Sequence, residues 1–204
     1  SKISDVYINT SRSLDASGYD ENVLPVFDKV LNDANKKKFI IIHTVGSHFR
    51  YNYRYPKKFN KFKPAMSKGL SIKNSSDISK KEELVNSYDN SILYTDYVIS
   101  SFINQLKKQN AISYLYYISD HGESLGESGV YLHGLPYSFA PKEQTHVPMI
   151  YWTDPMQTDF NLACLSQSQN ISISHDNIFD TLLSIMSVRT QAYHMDNDPF
   201  KHCK

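Results

Sequence analysis

The sequence predicts an α/β fold with a mostly parallel sheet and helices on both faces. Segments with helical spacing of apolar residues alternate along the chain with short runs rich in β-branched and aromatic residues. This order is typical of strands joined by helical crossovers. Two of the predicted strands, at 38–43 and 111–119, run directly into polar residues. At 204 residues the chain can bury one full core, so a single domain is expected.

The first half of the chain contains one short helix, one strand and one long loop. A helix is predicted over 20–31, where apolar residues recur at helical spacing and Pro25 falls in the first turn. The apolar run 38–43 predicts a buried strand, and a tight turn follows at 46–48. The basic, proline-containing stretch 57–79 is predicted to be a surface loop.

The second half begins with a long amphipathic helix. A capping box at 79–82 marks its start, and apolar residues follow along one face as far as Leu106. Buried strands are predicted at 111–119, which is rich in β-branched and aromatic residues, and at 147–152. A last helix, capped by the serine at its start, is expected over 174–187.

Composition excludes some function classes. Lys and Arg number 22 and Asp and Glu number 21, so the chain lacks the basic footprint of a nucleic-acid-binding protein. The longest apolar runs are too short to cross a bilayer. The first residue is Ser, so we expect a fragment or a processing boundary, with any membrane anchor outside the chain. The spacing of Cys164 and Cys203 leaves both a disulfide and two free thiols open.

Residues able to bind metal follow two of the predicted strands. His48 follows the first, and Asp-His-Gly-Glu-Ser at 120–124 follows the second. Ligands of open α/β sheets bind beyond the carboxyl ends of strands, and zinc accepts mixed nitrogen and oxygen donors. An isolated Asp-His pair is more typical of a helix cap or a surface loop. The longer string, with a second His-Gly pair at 133–134, favours a metal site.

The segment 116–152, YYISDHGESLGESGVYLHGLPYSFAPKEQTHVPMIYW, closely resembles the phosphoethanolamine transferases of Gram-negative bacteria. These include lipid A modifying enzymes and the mobile colistin-resistance enzymes, which confer polymyxin resistance. The other matching segments are 43–48, 53–56, 87–96 and 174–183. The resemblance covers roughly residues 18 to 204. It departs after His48, where Phe49-Arg50 stands in place of the usual Gly-Pro.

The resemblance implies an alkaline-phosphatase and sulfatase-like fold in the periplasmic domain of an inner-membrane protein. Residues 1–204 would be the carboxyl-terminal part of one catalytic domain. In the family a threonine nucleophile and one acidic zinc ligand lie well upstream of the Gly-Ser-His motif. We therefore expect no catalytic nucleophile in this chain, and expect the chain alone to bind metal poorly and to be inactive.

The resemblance also assigns the site residues. Asp120 and His121 would ligate the main zinc ion, and His48 and His133 would face the substrate phosphoryl group or hold a second zinc. Candidates to support these ligands by hydrogen bonds are Glu123, Lys142 and His146. Glu123 could instead face water. Cys164 and Cys203 match a late cysteine pair of some relatives, which implies a disulfide and fits a periplasmic location.

The implied reaction has two steps. A zinc-activated threonine attacks the phosphorus of phosphatidylethanolamine, and an acceptor such as lipid A then collects phosphoethanolamine from the enzyme. The protein is expected to be a monomer that binds these two lipids and no nucleic acid. Two alternatives stay open, namely a sulfatase or phosphoglycerol-transferase-like enzyme of the same fold, and a non-catalytic half-domain. The run 129–148 favours the first reading over the sulfatase alternative.

Overall fold

The computed structural model describes residues 18–34, 36–67 and 80–204. Within these ranges the helices are α1 (Leu24–Leu31), α2 (Lys81–Leu106), α3 (Lys142–Thr145), α4 (Leu162–Ser168) and α5 (Ile178–Ile185). The strands are β1 (Tyr114–Ile118), β2 (Ser124–Leu125), β3 (Tyr131–Leu132) and β4 (Met149–Thr153). The chain divides into two compact units, residues 1–110 with 117–150 and residues 111–116 with 151–204. No helix in the described ranges has both the length and the apolar character needed to cross a membrane.

The first unit is organised by α2. This helix has acidic residues in its first turn, where they complement the helix dipole. Ser79 of the predicted capping box lies outside the described residues, and the N-cap, Lys80, makes no side-chain cap bond. One face of α2 contributes Leu84 to a core that also contains Phe49, Tyr51 and Leu125. The predicted long amphipathic helix is thereby confirmed.

Two buried polar residues of α2 hold the loop that precedes it. The side-chain oxygen of Asn90 accepts hydrogen bonds from the backbone N–H groups of Lys61 and Phe62, at 2.7 and 2.9 Å. The hydroxyl of Ser87 accepts from the backbone N–H of Met66 at 2.7 Å. The described part of the predicted surface loop is therefore fixed to the helix through its backbone.

The predicted helix over 20–31 is confirmed, and its start supports a distant loop. A 3-10 turn at Asp20–Val23 leads into α1, and Pro25 lies in the first turn. The carboxylate of Asp20 accepts hydrogen bonds from the backbone N–H groups of Val45 and Gly46, at 3.0 and 2.9 Å. The chain just before the Gly-Ser-His turn is thereby held by the first helical segment.

The predicted buried strand at 38–43 is wrong. This segment has no regular secondary structure, and Phe39 and Ile41 are 57% and 79% exposed. A strand requires a neighbour that completes its backbone hydrogen bonds, and none of the strands that the structure describes pairs with it. An apolar run reports hydrophobicity but does not show whether a neighbouring strand is available.

The strands predicted at 111–119 and 147–152 are confirmed as β1 and β4, which form a two-stranded sheet. Hydrogen bonds from Ser119 N to Pro148 O and from Asp154 N to Ser113 O flank this pair, so the two strands run in opposite directions. The pair β2–β3 is also antiparallel. The α/β class is as predicted, while the strand pairs among the described residues differ from the parallel arrangement expected.

The second unit surrounds a smaller core. Phe160, Ile185 and Phe200 pack with Cys203, which forms the expected disulfide with Cys164. The helix predicted over 174–187 is confirmed as a 3-10 turn followed by α5. The Ser174 side chain takes part in a capping box at its start.

Candidate metal centre

The site is built where the chain leaves β1 and turns toward the β2–β3 hairpin. Gly122 lies at this turn, and its N–H donates to the carbonyl oxygen of Gln144 at 2.9 Å. A Cβ at Gly122 would lie only 2.1 Å from the carbonyl oxygen of Glu143. Only glycine allows the two backbones to approach this closely, and the approach places Asp120 and His121 beside α3.

The hairpin brings a second histidine to the same place. Ser124 pairs with Leu132 in the antiparallel ladder. Glu123 directly precedes Ser124 and His133 directly follows Leu132, so both lie at the same end of the hairpin. Ligand atoms of His121, Glu123 and His133 all lie within 4.8 Å of one another. The rings of His121 and His133 stack with centroids 3.8 Å apart. Two nitrogen donors and a carboxylate therefore converge on one small region.

Glu123 is the buried member of this group, with 7% of its surface exposed. One carboxylate oxygen lies 2.9 Å from Nδ1 of His133, and the other accepts a hydrogen bond from the Tyr51 hydroxyl at 3.1 Å. Burial and, secondarily, the charge of Glu123 raise the pKa of Tyr51 well above its usual value. A buried carboxylate without a cation is costly, so this environment favours a positive charge nearby.

His121 and Asp120 present different faces to the site. Nδ1 of His121 lies 3.0 Å from the carbonyl oxygen of Gly122, which leaves Nε2 available to a metal ion. The Asp120 side chain is largely exposed, and its Oδ2 lies 3.8 Å from that Nε2. The two predicted zinc ligands are thus adjacent, with Asp120 on the solvent side of the three-residue group.

His48 lies at the edge of the site, with its ring 5.3 Å from that of His133. Its Nδ1 contacts the carbonyl oxygen of Phe49. Buried Arg54 donates to the carbonyl oxygens of His48 and Phe49, at 2.9 and 3.2 Å. The structure therefore brings His48, His121 and His133 together, and Arg54 stabilises the loop that carries His48.

Helix α3 supports the site through a residue that sequence reasoning did not select. Lys142 and His146 are exposed, and no described contact joins either side chain to the three-residue group. The buried side chain of Gln144 instead donates to the hydroxyl of Ser124 and the carbonyl oxygen of Leu132, at 2.9 and 3.0 Å. Gln144 thereby fixes both strands of the hairpin. Its only sequence signal is its position between the two residues that were chosen.

The donors fit a borderline-soft divalent cation. Imidazole nitrogens and a carboxylate are the ligands that zinc takes in catalytic sites, where an open position remains for substrate. His121, Glu123 and His133 supply this donor set from two chain segments fixed by backbone hydrogen bonds. Asp120 can add a fourth donor, a carboxylate oxygen, from the solvent side.

Comparison with known proteins identifies the family of the chain. The family model described as Sulfatase matches residues 1–188. Phosphoethanolamine transferase EptA of Salmonella typhimurium is 39% identical over 198 residues, covering 94% of this chain and 35% of the relative. Phosphatidylethanolamine transferase Mcr-1 of Escherichia coli is 41% identical over 170 residues, covering 79% of this chain and 28% of that protein. The chain spans about a third of the length of these relatives.

Solved structures give the same result. The soluble domain of lipooligosaccharide phosphoethanolamine transferase A from Neisseria meningitidis matches with a TM-score of 0.83 and 37% identity, over 91% of this chain and 56% of that one. The periplasmic domain of EptC from Escherichia coli, in complex with Zn, matches with a TM-score of 0.76 and 30% identity, over 95% of this chain and 54% of that one. The chain therefore belongs to the sulfatase family, within which it is similar to the phosphoethanolamine transferases.

Proposed function

We propose that this chain is the carboxyl-terminal part of a periplasmic, zinc-dependent phosphoethanolamine transferase of a Gram-negative inner membrane. The enzyme transfers phosphoethanolamine from phosphatidylethanolamine to lipid A or another envelope acceptor. The observation that carries this proposal is the convergence of His121, Glu123 and His133 within 4.8 Å. Relatives support the acceptor, since one is named Kdo(2)-lipid A phosphoethanolamine 7''-transferase and is 36% identical over 160 residues.

The residues of the site take complementary roles in this proposal. Asp120 and His121 hold the main zinc ion, with His121 offering Nε2 while its Nδ1 contacts Gly122. When bound, zinc lowers the pKa of a nucleophilic hydroxyl and offsets the charge that builds on the phosphoryl oxygens. His48 and His133 face the phosphoryl group, where His48, when protonated, donates to a developing oxyanion. If a second zinc is bound, the same two histidines, in their neutral form, would instead be its ligands.

The proposed transfer proceeds through a threonine ester. A threonine outside the described residues forms a bond from its oxygen to phosphorus, and the bond from phosphorus to the diacylglycerol oxygen breaks. The threonine hydroxyl gives up its proton, the leaving oxygen takes one, and diacylglycerol departs. In the second step an acceptor oxygen attacks the same phosphorus and releases the threonine. His48, when protonated, donates to the phosphoryl oxygens in both steps.

A chimera tests the proposal, because the chain covers only about a third of the length of its relatives. The chain replaces the matching 195 residues of Escherichia coli EptA, to which it is 40% identical, in a strain that lacks phosphoethanolamine transferases. We expect phosphoethanolamine-modified lipid A by mass spectrometry and a lowered sensitivity to polymyxin. The matched control carries Asp120→Ala and His121→Ala and should restore neither. A chimera that accumulates in the membrane and holds zinc but adds phosphoethanolamine neither to lipid A nor to another envelope molecule would contradict the proposal.

A further inference from the structure

Tyr51 reaches the site from a position that is fully enclosed. Its side chain has no exposed surface, and the rings of Phe49 and Tyr88 pack edge-on against it at 5.5 and 5.1 Å. Its hydroxyl donates to Oε2 of Glu123 at 3.1 Å. The packed ring cannot turn away, so the hydroxyl is directed at Glu123 with little freedom.

We propose that Tyr51 is a positioning residue that acts through Glu123 to hold neutral His133 with its proton on Nδ1 and its Nε2 lone pair toward the site. Glu123 is the intermediate, since Oε1 lies 2.9 Å from His133 Nδ1. This inference rests on the proposed function only for the role that Nε2 of His133 plays in the site. The arrangement of the three side chains is independent of that use.

The donor and acceptor roles of Tyr51, Glu123 and His133 determine which nitrogen of His133 carries the proton. An ionised carboxylate only accepts, so the Tyr51 hydroxyl donates to one oxygen and His133 donates from Nδ1 to the other. With both oxygens engaged, the carboxylate cannot rotate without losing a buried hydrogen bond. The tautomer of His133 is therefore set by the residue behind it, as it is for many metal-binding histidines.

Replacing the carboxylate of Glu123 by an amide reverses the hydrogen bond to His133, so that His133 accepts instead of donating. In Glu123→Gln the Tyr51 hydroxyl still donates, which fixes the amide oxygen on its own side and turns the NH₂ group toward His133. The NH₂ group requires an acceptor, so Nδ1 loses its proton and the proton moves to Nε2. Removing the hydroxyl as well, in Tyr51→Phe with Glu123→Gln, lets the amide turn around. His133 then recovers the Nδ1–H form.

The tautomer is measured by nitrogen NMR on the metal-free chain with labelled histidines, at about pH 8.5, about two units above the ordinary histidine pKa. The signal of His133 among the eight histidines is assigned with His133→Gln. We expect predominantly Nδ1–H in the wild type, Nε2–H in Glu123→Gln, and a return toward Nδ1–H in the double variant. Pairing Glu123→Gln with Tyr88→Phe, which removes a hydroxyl from the same aromatic cluster, should keep Nε2–H.

Two results would overturn the inference. One is a wild-type His133 that carries its proton on Nε2, and this result requires no variant to fold. The other is a tautomer in the Tyr51→Phe double variant identical to that of Glu123→Gln, with the remaining histidine signals unchanged. Neither measurement uses zinc, substrate or turnover. An inactive chimera therefore leaves this result standing, and an Nε2–H wild type leaves the transferase assay to be judged by itself.

Discussion

The imidazole ring of His121 lies against that of His133, with centroids 3.8 Å apart and planes inclined by 29°. The two residues come from different segments, one at the exit of β1 and the other just after β3. Their contact depends on the hairpin, whose two strands are joined by two ladder positions and by Gln144. A metal ion bound here would therefore also stabilise the hairpin.

The first prediction concerns zinc. His121→Ala removes one of the converging donors, so the zinc affinity of the chain should fall at least about tenfold, measured by competition with a chromogenic chelator. His43→Ala is the matched control, since His43 is exposed and lies outside the converging group. Equal affinities in the two variants would remove His121 from the ligand set.

The second prediction concerns Gly122. The methyl group of Gly122→Ala would meet the backbone oxygen of Glu143, which cannot move aside without disturbing α3. We expect a loss of about 3 kcal/mol in the free energy of unfolding, at the upper end for overpacking. Gly129→Ala is the comparison, because a Cβ there meets nothing within 4 Å and only the left-handed backbone at φ +78° opposes it, which costs about 1 kcal/mol. Equal losses by urea denaturation would show that the close approach is not rigid.

The third prediction concerns alkaline pH. Burial and the charge of Glu123 raise the pKa of Tyr88 from 10.0 to about 12. The unfolded chain thus releases this proton at lower pH than the folded protein, and stability present below pH 10 is lost as the pH rises toward 12. Urea unfolding at about pH 9 and about pH 11 should show this loss. Tyr88→Phe should reduce the difference, whereas Tyr137→Phe, at a residue 86% exposed, should not.

The fourth prediction concerns the second unit. Cys164 and Cys203 are 39 residues apart, and a cross-link of that span restricts the unfolded chain by about 4 kcal/mol in the loop-entropy model. Replacing both by Ser should lower the free energy of unfolding by about 2–4 kcal/mol. A reducing agent should produce the same loss in the wild type and none in the double variant. A reductant effect of equal size in both proteins would point to a different cause.

Local sequence signals predicted the helices well, because their information lies within a few residues. The spacing of apolar residues located α1 and α2, and the Ser174 side chain caps the last helical segment as expected. The prediction of a buried strand at 38–43 was wrong for the opposite reason. Whether Phe39 and Ile41 are buried depends on a neighbouring strand, and apolar periodicity contains no information about that neighbour.

The residues of the site also differ in how well the sequence predicts them. Histidines in a long motif were found because their residue types carry the chemistry, and the structure brings His48, His121 and His133 together. Of the residues that orient them, Glu123 was among the candidates and lies 2.9 Å from Nδ1 of His133, whereas Gln144 and Tyr51 were missed. Gln144 and Tyr51 act through hydrogen bonds from buried positions, and neither an uncharged amide nor an aromatic ring stands out in a sequence.

The two hydrogen bonds from Val45 and Gly46 to Asp20 have a practical consequence for protein engineering. Asp20 begins the first helical segment. The loop that carries His48 is therefore coupled to a residue that lies 25 positions before Val45 in the chain. A domain boundary placed between Asp20 and Val45 would separate the loop from its support and leave two backbone N–H groups without their acceptor. Fusion or splicing junctions that preserve the histidine geometry should therefore lie before Asp20.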